Sequence, residues 1–148
     1  MAPLVVLLVS FAVFATLGAA GVGVFVPWPA ALRFALLVMF LVTACAHFTK
    51  SRADLVRMVP PAFPNPELLV TLTGVLELAG AIGLLLPATR PAAALGLIVL
   101  LLALFPANIH AARSGLTLRG RPVTPLAQRT AIQLIFLSAI ALAGFFPT

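Results

Sequence analysis

Glu77 is an acid in a setting made for hydrocarbon. It stands near the middle of a long apolar stretch, where a charged side chain costs at least about 3 kcal/mol, so it requires a partner or a proton. Other polar side chains gather at the ends of neighbouring apolar stretches: His47, Asn108 and His110, and then Arg129 and Gln133, whose i,i+4 spacing puts them on one helix face. A carboxylate, an imidazole, two amides and a guanidinium brought together can hold a hydrogen-bonding head group, and the first two can relay a proton. The same groups can instead do no more than tie helices together. Metal chemistry lacks donors: two histidines and three acids are the whole supply, and Cys45 is alone, which excludes an intrachain disulfide, a CxxC pair or a cysteine cluster.

The elements that carry these residues must be membrane helices. Hydrophobic residues make up 63% of the 148 and charged ones 8%, where a soluble domain has about 25% charged. So few charges cannot cover a water-facing surface. The expected fold is an all-α polytopic membrane protein of one domain, with five spans at 3–26, 29–48, 66–86, 91–112 and 125–146. Each span opens on a proline (Pro3, Pro29, Pro66, Pro91, Pro125), a residue that loses no bond at a helix start, and Asn65 and Thr124 are placed to act as N-caps. The first span reads as a true helix rather than a secretory signal, because it lacks a basic leading region and its apolar run is too long. In the interfacial loop 49–65, Ser51-Arg52-Ala53-Asp54 has the pattern of a capping box and predicts a short helix that Pro60-Pro61 ends. Trp28, between two prolines, is placed to anchor at the membrane interface.

The net charge of +6 is accounted for by topology. Lys50, Arg52, Arg57, Arg113, Arg119 and Arg121 fall on one side of the membrane, and only Arg33 and Arg90 on the other. This bias predicts a cytoplasmic N-terminus and an external C-terminus. No basic run interleaves with stacking aromatics, so nucleic acid is not a partner; the lipid bilayer is.

On the third span Val70, Thr73, Gly74, Gly80, Ala81 and Leu84 share the face of Glu77, and their small side chains allow close helix approach, so that face is expected to point into the bundle. Glu77 lies about 15 Å deeper than Glu67 at helical rise, within reach of a polar pocket formed with His47, Asn108, Arg129 and Gln133 and open to the cytoplasm. Pro106 should kink the fourth span and free the carbonyl of Leu102, which then needs a donor.

Several motifs along residues 33–133 follow in a characteristic order: Arg33 opening a span, Ala46-His47-Phe48 closing it, Met58-Val59-Pro60, Pro64-Asn65-Pro66-Glu67, Thr73-Gly74-Val75-Leu76-Glu77-Leu78-Ala79-Gly80, Gly83-Leu84-Leu85-Leu86-Pro87 with Thr89-Arg90, Phe105-Pro106-Ala107-Asn108-Ile109, and Arg129 with Gln133. In this order and spacing the stretch resembles the DoxX/DoxD-like family of small bacterial integral membrane proteins. The resemblance implies a four-helix membrane bundle, with span 3–26 as an extra N-terminal helix, in the bacterial inner membrane. Its members include a thiosulfate:quinone oxidoreductase subunit and a mycobacterial complex linked to oxidative-stress defence, so it implies an accessory role in a redox assembly rather than a reaction of its own.

Four functions compete. The first is a non-catalytic subunit of a membrane redox or respiratory assembly, binding a quinone or lipid in the pocket around Glu77 and meeting other membrane subunits or copies of itself. The second is a small oligomeric transporter in which Glu77 exchanges a proton for a substrate. A haem held by His47 and His110 is the third, and it is disfavoured because nothing in the sequence supports those two ligands. The last is a purely structural membrane subunit.

Overall fold

Proline and apolar length together fix where the helices start, and the computed structural model, which describes residues 2–118 and 120–146, follows that plan. The long helices are α1 (Ala2–Ala19), α2 (Trp28–Phe48), α4 (Pro66–Leu85), α5 (Arg90–Arg113) and α6 (Leu126–Phe145), with the short α3 (Arg52–Met58) between α2 and α4. Five are long and apolar enough to cross a membrane; at 1.5 Å per residue, 20 residues span about 30 Å. The chain is therefore an all-α polytopic protein. Strands β1 (Thr117–Leu118) and β2 (Arg121–Pro122) form a small antiparallel hairpin between α5 and α6, pairing Thr117 with Pro122 and Leu118 with Arg121. Arg119, counted above among the topogenic charges, lies outside the described residues.

Packing closes a ring of four: α2 lies on α4, α4 on α5, α5 on α6, and α6 returns to α2, while α1 lies against α2 outside the ring. Leu36, Met39, Phe40, Leu84, Leu97 and Ile140 fill the centre. Leu8, Leu68, Leu95 and Leu134 are each more than half exposed, an outward face that only lipid makes favourable.

Four local readings are corrected. The first span ends at Ala19, not at 26, because Gly21 takes φ 93° and the amides of Gly21 and Val22 close back on the carbonyls of Gly18 and Leu17. A short 3₁₀ turn, Gly23–Phe25, then leads to α2. Asn65 precedes α4 but does not cap it with its side chain; it is left-handed at φ 51° and turns the chain into the helix. At α6 the capping position belongs to Pro125 rather than Thr124. The short helix in the 49–65 loop is present, yet Ser51 makes no side-chain cap, and Asp54 instead pairs with Arg57 one turn on.

Arginines finish what the caps do not. Arg33 is buried and donates from Nε to the Ala143 carbonyl at 2.7 Å and from Nη2 to the Phe146 carbonyl at 2.8 Å, satisfying the C-terminal end of α6. It has a structural role, which its position near a span end did not reveal. Arg90 does the same for the Leu84 carbonyl of α4, and Arg52 bridges the carbonyls of His47 and Glu67.

Candidate functional site

The site is built from two i,i+4 pairs on antiparallel helices: Thr43 and His47 on α2, and Thr73 and Glu77 on α4. Glu77 is 5% exposed and lies on the buried face with Val70, Gly74, Ala81 and Leu84, as the small-residue pattern predicts. Thr43 Oγ1 donates to Glu77 Oε2 at 2.7 Å, and His47 Nε2 stands 3.7 Å from Oε1, longer than a hydrogen bond and close enough for charge pairing. His47 Nδ1 lies 2.7 Å from the Val70 carbonyl and 3.4 Å from Thr73 Oγ1. Gly74 makes this approach possible, since a Cβ there would come within 2.7 Å of His47 Cβ.

These contacts assign protons. A carbonyl can only accept, so Nδ1 carries a hydrogen toward Val70 and Nε2 faces the carboxyl. At 3.7 Å the imidazole and the carboxyl are placed for charge pairing between α2 and α4.

Asn108, Arg129 and Gln133 form a separate bracket between α5 and α6. Arg129 donates to Asn108 Oδ1 and to the Thr124 carbonyl, and Asn108 Nδ2 lies 3.5 Å from Gln133 Oε1. Gln133 Nε2 donates to the Leu101 carbonyl at 2.9 Å. Pro106 lies inside α5, and the carbonyl that Gln133 reaches is that of Leu101, one residue before the Leu102 carbonyl expected to need a donor.

A cavity of about 530 Å³ connects part of the two groups. Thr43, His47, Thr73, Glu77 and Asn108 line it; Arg129, Gln133 and His110 do not. The single five-residue pocket expected from sequence is thus a cavity site plus a bracket that holds Asn108 at its wall. Toward the loops, Leu55 and Met58 of α3 and Leu118 of β1 contribute apolar wall to it. His110 is half-buried, with Nδ1 3.4 Å from Ser114 Oγ, and both nitrogens of His47 face protein groups, so haem ligation by His47 would have to break one of those contacts. Among the described residues no three His, Cys, Asp or Glu side chains are grouped to hold a metal.

Thr43 is the site residue that sequence reasoning missed. Its signal is the i,i+4 spacing to His47, mirrored by Thr73 and Glu77.

A family model described as a domain of unknown function (DUF8561) matches residues 36–143, nearly three quarters of the chain. The chain belongs to this family. No curated protein and no solved structure matches it. The DUF8561 stretch contains the whole Thr43, His47, Thr73 and Glu77 constellation and the Asn108 bracket, while α1 lies outside it.

Proposed function

We propose that this protein is an accessory subunit of a membrane redox assembly that holds the head of a quinone, or of a lipid with similar hydrogen-bonding chemistry, against the His47 and Glu77 pair. The observation that carries the reading is a mainly apolar cavity whose wall bears the buried His47 and Glu77 side chains; its volume of about 530 Å³ falls within the roughly 300–1,000 Å³ of small-molecule sites. The residues fit such a head group. His47 and Glu77 are groups of the kind that hydrogen-bond a ligand carbonyl and relay a proton to it, and Thr43 and Thr73 hold the two side chains in place. A quinone, when bound, supplies the electron chemistry; this chain's residues orient it and hold the proton. The DoxX/DoxD-like resemblance of residues 33–133 supports the redox association and the bacterial inner membrane, and the charge bias supports a cytoplasmic N-terminus.

The test is quinone copurification. Quinone is expected with the wild type and depleted in Glu77→Ala; equal or absent quinone in both removes the quinone from the account. Proton-coupled transport is the second reading, favoured by a carboxyl that is both buried and on a cavity wall. Flux into proteoliposomes driven by a pH gradient, abolished in Glu77→Gln, would select it.

A further inference from the structure

The rim of the cavity says how a ligand reaches it. Every cavity residue that is exposed is apolar: Ala2, Val42, Phe63, Ala103 and Pro106. The polar lining residues are all buried or half-buried, and α3 and the hairpin cover the end nearest the loops. A mouth of this kind excludes a solute arriving from water, which would have to strip its hydration shell against an apolar rim. It suits a molecule already dissolved in the bilayer.

The first turn of α1, through Ala2 and Pro3, forms part of that rim. α1 is held differently at its two ends. At the far end Phe14 packs on Phe25 and Phe34, with ring centroids 4.8 and 5.8 Å away, and the Gly21 turn ties the helix to α2. Toward the cavity Leu7 is its one buried residue besides Gly18. Among the described residues no side-chain hydrogen bond joins α1 to another helix; Thr16 bonds only the Ala12 carbonyl of its own helix. With no side-chain hydrogen bond to another helix among the described residues, and with lipid as good an apolar partner as protein, displacing the near end of α1 loses mainly packing. α1 also lies outside the stretch that matches the family, whereas the cavity's polar residues lie inside it.

We infer that α1 is a lateral gate, anchored at the Phe14, Phe25 and Phe34 cluster, and that the ligand of the cavity is a membrane-dissolved amphiphile that enters sideways from the bilayer between α1 and α5. This rests on the cavity being a ligand site. Its head group meets His47 and Glu77, and its tail leaves through the apolar rim into lipid.

Pulsed electron paramagnetic resonance on spin-labelled cysteine pairs in proteoliposomes tests the gate, in a Cys45→Ser background. Val5→Cys with Leu102→Cys reports the cavity end, and Leu17→Cys with Leu95→Cys the anchored end; all four positions are exposed on the outside of the bundle, so labels leave its packing intact. The expected result is a two-component distance distribution for the cavity-end pair, collapsing to one component with decylubiquinone, beside a single narrow distribution for the anchored pair. A cavity-end pair with two components that decylubiquinone does not alter upholds the gate and overturns the quinone as its ligand. A cavity-end pair as narrow as the anchored one, with and without decylubiquinone, overturns the gate, whatever quinone copurification shows.

Discussion

Gly74→Ala should separate α4 from α2 at the site itself. The added Cβ would sit 2.7 Å from His47 Cβ, 2.9 Å from His47 Cγ and 3.1 Å from Phe48 Cε2. Carbon atoms in contact stand about 3.5–4.0 Å apart, so the helices must part by about 1 Å at this level. That shift takes the 2.7 Å bond from Thr43 to Glu77 beyond hydrogen-bonding range and moves His47 away from the carboxyl. Overpacking costs about 1–3 kcal/mol, and an interhelical hydrogen bond in a membrane protein about 0.6 kcal/mol. The sum, about 2–4 kcal/mol, is measurable by reversible unfolding in mixed detergent micelles. Gly96→Ala is the control, since nothing lies within 4 Å of its added Cβ; it should stay within about 1 kcal/mol of wild type, on the stabilising side through helix propensity. Equal stability of the two variants would refute the close approach of α2 and α4 at His47.

Three further outcomes follow from other contacts. A double-mutant cycle of Thr43→Val and Glu77→Gln, followed by unfolding, should show a favourable coupling of about 0.6 kcal/mol, and additive losses would mean that the two side chains do not interact. Arg33→Ala should lower stability by about 2 kcal/mol or more through the orphaned carbonyls of Ala143 and Phe146, and Arg33→Lys should recover little, because an ammonium lacks the rigid pair of donor nitrogens that reaches both; full recovery by lysine would contradict the capping geometry. In a Cys45→Ser background an impermeant maleimide should label Ala88→Cys but not Ser114→Cys in intact cells, and the reverse pattern would invert the proposed orientation.

Helices were legible because two independent signals coincide in the sequence: a proline at the start and an apolar run of membrane length. The first span was overrun because glycine and valine keep residues 20–26 apolar, whereas the backbone turns at Gly21 through a left-handed φ that hydropathy does not register. Caps were misread for a related reason. Asn65 contributes its backbone conformation rather than its side chain, and arginines from other helices satisfy carbonyls at the ends of α2, α4 and α6. Glu77 announced itself by its cost, and its inward face by the small residues around it. Its partners did not, since linear order says nothing of which helices are neighbours. Once α2 lies on α4 and α5 on α6, Glu77 falls to Thr43 and His47, while Arg129 and Gln133 fall to Asn108 and the Leu101 carbonyl.

The central claim is that the His47 and Glu77 pair faces a cavity that holds a ligand. Calorimetric titration of decylubiquinone into the protein in lipid nanodiscs measures it most directly. Saturable binding to the wild type and to Gly96→Ala is expected, weakened about tenfold or more in Glu77→Gln, a loss of about 1.4 kcal/mol. No saturable binding to the wild type, or equal affinity in Glu77→Gln, would contradict it.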